Sequence, residues 1–273
     1  MRIPGPARPR AAGFGYAIAL LLAARTAGAH DFWIEPSTFR PVPGEDFTVA
    51  LRVGEHFRGE PVPRDERRIR KFFLVSNLGE SPVPGLPGSD PAGFAKADGP
   101  GVIAIGYRSD RSPVTLEPEK FEKYLSDEGL EPVIAERARR GESGKPGREV
   151  FSRSVKSLVF SGPRGRDYDR RLGLDFEILL RNDPAAWRPD GKSPMRFQVL
   201  SDGKPFGGAL VKAICRDDPD KTVTARSGGG GEVSLVLPRK GVWLVEAVRM
   251  ARAPKDVDAD WESVWTSVTF EIP

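Results

Sequence analysis

The sequence predicts a mostly β protein: two immunoglobulin-like β-sandwich domains, the first carrying a short helical insertion. Three observations point there. Gly (30) and Pro (26) make up about a fifth of the 273 residues, too much for a helical bundle, since both are costly inside helices and favoured in turns. Apolar and polar residues alternate in short runs, the period of half-buried strands. Only residues 118–140 show helical spacing.

Residues 1–29 read as a secretory signal peptide. Arg2, Arg8 and Arg10 precede the apolar run Phe14 to Ala24, and the small residues Ala27-Gly28-Ala29 end the segment. That run spans 11 residues, short of the ~20 that cross a bilayer as a helix. No later stretch approaches that length, so no transmembrane segment is expected after cleavage. The mature chain is expected in the periplasm or outside the cell. The signal also accounts for the charge. The chain has 42 Lys+Arg against 38 Asp+Glu, a formal +4. Arg2, Arg8, Arg10 and Arg25 lie within the first 29 residues and no acid does, so the remainder is neutral by side-chain count. The basicity belongs to the export signal, and no nucleic-acid partner is expected. Cys215 is the single cysteine. It excludes an intrachain disulfide and a multi-Cys zinc site, and it reads as a small buried hydrophobe.

The first domain is expected over 30–190. Asp31–Glu35 opens it as a strand. Phe47, Val49, Leu51 and Val53 alternate with polar or small residues, and Ile69–Val75 and Val102–Tyr107 follow. Residues 82–101 read as a Pro/Gly-rich loop without periodicity. Pro118 suits the first helical position, Phe121, Tyr124 and Leu125 share one face, and Gly129 stops that helix. Pro132 then begins a second short helix with Val133 and Ile134 inward, and Arg137, Arg139 and Arg140 cap its end. Val155–Phe160 and Leu174–Leu180 close the block. The polar, Pro-rich stretch 182–194 reads as a boundary. The second domain, 193–273, is expected to be all β: Phe197–Leu200, Ala209–Cys215, Thr222–Ala225, Val233–Leu237, Val242–Val248 and Val264–Ile272, with Trp243 and Trp265 as core anchors and Gly228–Gly231 as a flexible hairpin loop.

The chemistry points to the two histidines, His30 and His56. Cleavage after Ala29 makes His30 the mature N-terminus, where the free amine and the ring Nδ1 close a six-membered chelate on one metal ion. The amine, with an ordinary pKa of roughly 7.7–8.0, is available near neutral pH. Cleavage after Gly28 or Ala27 leaves Ala29-His30 or Gly28-Ala29-His30, which chelate through backbone amides as well. Such nitrogen-rich sites suit Cu(II) or Ni(II). His56, at the end of the next strand, is the remaining imidazole and would complete a histidine brace if the strands are neighbours. Asp31 and Glu55 are placed to orient the rings. Asp167 and Asp169 sit among four arginines and read as a solvated loop. Two His and many Ser make any assignment of a Ser/His/Asp triad arbitrary, and Gly228–Gly231 lacks the context of a phosphate loop.

Four marks resemble a known family: His30-Asp31-Phe32-Trp33-Ile34-Glu35-Pro36 directly after the signal; Lys120–Leu125 with Glu128-Gly129-Leu130; Arg148–Arg153 with Lys156; and Trp243-Leu244-Val245 followed by Asp260–Ser263. They are similar to the NikM-like extracytoplasmic family of unknown function, grouped with soluble components of nickel uptake systems. The resemblance implies an exported β-sandwich protein handling nickel or cobalt, with a membrane metal-transport component as partner. Of the family's metal logic only His30 carries over. The reading taken forward is an accessory protein, and not an enzyme, that binds nickel, cobalt or copper through His30 and His56. A copper-dependent oxidase on the same two histidines is the first alternative. A structural or interaction module is the second, with Trp187 as its exposed aromatic.

Overall fold

The computed structural model describes Met1, residues 30–162 and residues 167–273; the expected signal peptide lies outside the described residues. The chain begins with β1 (Asp31–Pro36), β2 (Asp46–Glu55), β3 (Arg58–Pro61), β4 (Ile69–Ser76), β5 (Gly79–Pro82), β6 (Gly93–Lys96), β7 (Gly101–Ser109) and β8 (Ser112–Leu116). Two helices follow, α1 (Pro118–Asp127) and α2 (Glu131–Arg139), and then β9 (Gly147–Ser161) and β10 (Phe176–Leu180). The chain ends with β11 (Met195–Ser201), β12 (Lys204–Pro205), β13 (Leu210–Cys215), β14 (Asp218–Arg226), β15 (Glu232–Leu235), β16 (Gly241–Arg252) and β17 (Trp261–Ile272). The expected class, mostly β with a helical insertion, is what the structure shows.

The two sandwiches share a sheet. A central nine-stranded sheet runs β14-β13-β16-β17-β9-β7-β4-β5, with β8 also on β9. Alternation along its strands sends side chains to opposite faces. Val102, Ala104, Leu158, Phe160, Val264 and Val268 face one core, shared with the small sheet of β10, β11, β12 and β15. Ile103, Ile105, Val155 and Val159 face a second core, under the sheet of β1, β2, β3 and β6. Ser267 and Thr269 of β17 fasten β1 to that second face, their hydroxyls donating to Phe32 O and Ile34 O at 2.8 and 2.7 Å. The helices cover the same face further along, where Phe121, Tyr124, Leu125 and Val133 pack on Val248, Trp261 and Trp265.

The stretch 182–194 connects β10 to β11, which pair antiparallel from Phe176↔Ser201 to Leu180↔Phe197. The central sheet draws strands from both sides of it, joined by the parallel pair β9 and β17. Trp187, expected at the surface, is buried, with its indole N–H donating to Ser193 O at 3.2 Å. It is an anchor for the connection and offers no exposed aromatic.

The helical insertion divides as its sequence indicates. Pro118 is in the first turn, and Gly129 takes φ +66° between the helices, a conformation that costs other residues about 1–2 kcal/mol. Arg137 is the surprise. Expected as a helix-end cap, it is 1% exposed, with Nε donating to Glu122 Oε1 at 2.7 Å, Nη2 donating to Glu142 O and Lys145 O, and the guanidinium lying over Phe121. Residues 82–101 also hold more order than expected, since β6 lies within them and pairs with β2 from Asp46↔Lys96 to Val49↔Gly93. There small Gly93 and Ala95 point inward and Phe94 outward, the reverse of the apolar-inward pattern that marks a strand. Gly228–Gly231 links β14 of the central sheet to β15 of the small one, so it joins two sheets instead of closing a hairpin. Trp243, Trp265 and Cys215 are buried as expected.

Candidate functional site

Where the first sheet ends and the helices begin, the second face of the central sheet is left partly uncovered. A cavity of about 800 Å³ lies there. Its walls come from the start of β1, the β2–β3 turn, the β8–α1 segment, α1, β13, β14 and β16.

Strand register brings the two histidines to it. β1 and β2 pair antiparallel from Asp31↔Gly54, so His30, one step before, stands beside Glu55. His30 Nδ1 lies 3.1 Å from Glu55 Oε1. The approach is out of line for a hydrogen bond, and this buried nitrogen has no hydrogen-bond partner. His56 occupies the two-residue turn between β2 and β3, where Glu55 pairs with Arg58. His56 and Phe57 take φ +53° and +56°, the type I′ shape that Asn-Gly usually supplies. The strained turn separates two neighbours by destination. Phe57 is buried edge-on against Trp33, ring centroids 5.3 Å apart, while His56 is exposed and lines the cavity. Gly59, just after the turn, lets Trp33 close over β3, because a Cβ there would sit 2.4 Å from the indole Cη2.

The inner wall is acidic and buried. Asp31 of β1 and Glu246 of β16 are 8% and 5% exposed, and their carboxyls hydrogen-bond to each other. Two carboxyls can do so only if one keeps its proton. Burial, and then the charges of Asp31 and Glu128, push Glu246 well above the usual carboxylate range. Burial also raises Asp31, against the lowering effect of its bond to Glu246 and of Lys212. Glu128, directly after α1, is raised by burial and held back by Lys212, whose Nζ donates to its Oε1 at 2.7 Å. Burial alone would lower Lys212, but Glu128, Glu246 and Asp31 outweigh it and the net shift is upward.

Both histidines singled out from the sequence therefore reach one cavity, with Asp31 and Glu55 beside them. Among the described residues no group of three or more His, Cys, Asp and Glu is arranged to hold a metal ion. His30 and His56 would supply two ligands, and a third nitrogen would have to come from an amine freed at His30. Asp167 pairs with Arg170, and Asp169 lies 3.5 Å from Arg181, outside this cavity. The sequence reading missed Lys212, Glu246 and Glu128. The first two carried a signal, each being a lone charge in an otherwise apolar strand (Ala209–Cys215 and Val242–Val248).

A family model described as a domain of unknown function, DUF4198, matches residues 27–251. No curated protein matches the chain. Among solved structures, the D0-D1 domain of Intimin aligns over 88% of this chain and 97% of its own, at 14% identity and a TM-score of 0.21. Dimeric latent PorU from Porphyromonas gingivalis aligns over 91% of this chain and 21% of its own, at 12% identity and a TM-score of 0.19. Among the described residues no helix is long and apolar enough to cross a membrane.

Proposed function

We propose a function for this chain, which belongs to the DUF4198 family of unknown function, from its cavity: it is an exported accessory protein of metal uptake or homeostasis, binding nickel, cobalt or copper at His30 and His56. One observation carries the reading. Both imidazoles of the chain, one just before β1 and one in the β2–β3 turn, line a single cavity backed by buried carboxyls. Imidazole nitrogens suit these metals, and Glu55, 3.1 Å from His30 Nδ1, adds a negative charge at the same place. A terminal amine at His30 would add the third nitrogen. A membrane transport component is the partner this role calls for.

The test is calorimetric titration of Ni(II) and Cu(II) into protein that begins at His30, into protein extended by one residue, and into His56→Ala. The extension and the substitution are each expected to weaken binding at least tenfold. Affinity is also expected to fall as pH drops from 8 to 6, because protons compete for the amine and the imidazoles. Equal affinity across the three proteins would overturn the reading.

A further inference from the structure

A metal ion at the rim would use little of this cavity. A water molecule takes about 30 Å³ in the liquid, and the space here is about 800 Å³, within the ~300–1,000 Å³ typical of sites for organic ligands. We propose that the cavity binds a small organic amine, its ammonium against the inner carboxyls and its hydrocarbon part along the apolar wall. This goes beyond the metal reading and does not rest on it.

Charge decides the sign of the ligand. The inner wall holds three carboxyls, Asp31, Glu128 and Glu246, against the single ammonium of Lys212. Three carboxyls against one ammonium give the wall a negative excess. Farther out, Glu55, Glu117 and Asp127 face Lys120 and Lys123, and Lys123 is already held by Asp127 at 2.6 Å. The excess is again negative. A concave wall with a net negative charge concentrates counter-charge, so a carboxylate is disfavoured and an ammonium favoured. The rest of the lining fixes the ligand's other end. Val114, Leu116, Leu210 and Ile214 line the cavity and offer hydrocarbon surface. An ammonium without a carbon chain leaves that surface wet, so affinity should grow with chain length, by roughly 0.8 kcal/mol per buried CH₂.

The probe is hexylamine, titrated in chelator-treated buffer near pH 7, with hexanoate, hexanol and methylamine as comparisons. Saturable hexylamine binding is expected, at least tenfold tighter than any of the three. Glu128→Gln, which removes one inner negative charge, should weaken it about tenfold. Lys212→Met, which removes the opposing ammonium, should tighten it. Opposite signs from two neighbouring substitutions are hard to obtain from general damage to the fold. If either variant melts early, the four probes on the unsubstituted protein still decide. Hexanoate or hexanol binding as tightly as hexylamine, or no saturable hexylamine binding, overturns the proposal. A one-residue N-terminal extension should leave hexylamine binding unchanged while abolishing any metal chelate at His30, so the two readings fail separately.

Discussion

A carboxyl sealed from water titrates late, and Glu149 is the clearest case in this chain. It is 2% exposed, and burial raises its pKa from 4.5 to about 7. The hydroxyls of Ser263 and Tyr124 donate to its Oε1 and hold the shift back. Because the folded value lies above the unfolded one, the protonated form is the one the fold prefers. Glu149 therefore contributes most below pH 4.5, and its contribution is lost as pH rises to about 7, a change of about 3 kcal/mol at 1.36 kcal/mol per unit. Glu149→Gln should flatten the stability–pH curve between pH 4.5 and 7, measured by urea unfolding; an unchanged slope would show that Glu149 titrates normally. The ion pair of Lys156 and Glu177 behaves differently. Both are almost wholly buried, 2.9 Å apart, and Glu177 also accepts from Leu172 N. Lys156→Met leaves a buried carboxylate unpaired and should cost about 3–5 kcal/mol, whereas Lys156→Met with Glu177→Leu should recover much of it. None of this was legible in the sequence. Glu149 reads as an ordinary charge in Arg148–Arg153, since its partners lie 25 and 114 positions away.

Elements were legible where local chemistry decides them. Pro118, the Phe121–Leu125 face and Gly129 mark α1 and its end, and α1 stops at Asp127. Strands with apolar residues facing inward, such as β2 and β16, were equally plain. β6 was not, because small residues point inward there. Nor was the first half of β9, whose inward positions include Glu149 and Ser154. The β2–β3 turn lies between these cases. His56 could be assigned to a strand end, but that two non-glycine residues would share positive φ follows only from the register that buries Phe57 on Trp33. That strain is itself testable. His56→Gly should relieve roughly 1 kcal/mol, raising the melting temperature, and it should weaken Ni(II) binding at the same time. A turn kept for its shape alone would gain stability without losing metal affinity.

At the scale of the molecule, the boundary suggested by the Pro-rich stretch 182–194 is a local signal, whereas the sheets are assembled from long-range pairing. Segments 30–190 and 193–273 look separable because each has strands and turns of its own. The core under the sheet of β1, β2, β3 and β6 draws only on the earlier segment, but the other core does not divide at this boundary. The core above the small sheet takes Phe197, Val199, Trp243 and Phe270 from the later segment, and Val102, Ala104, Leu158, Phe160, Phe176, Ile178 and Leu180 from the earlier one. β17 pairs along nine positions with β9, from Trp261↔Glu149 to Thr269↔Ser157. Cutting the chain near residue 190 would strip β17 of that neighbour, leave one edge of a central strand unpaired, and expose the face that β10 covers. Each large apolar side chain so exposed forfeits roughly 1.5–3 kcal/mol, and a domain's net stability is only about 5–15 kcal/mol. Residues 193–273 expressed alone should therefore show no cooperative thermal transition, and residues 30–273 should melt in a single one by calorimetry. The cavity shares this dependence, since its inner wall joins Asp31 and Glu128 from the earlier segment to Lys212 and Glu246 from the later one. Mixing separately produced halves should restore hexylamine binding only if they reassociate through β9 and β17. A cooperative transition in the isolated later segment would show instead that its sandwich closes without those strands.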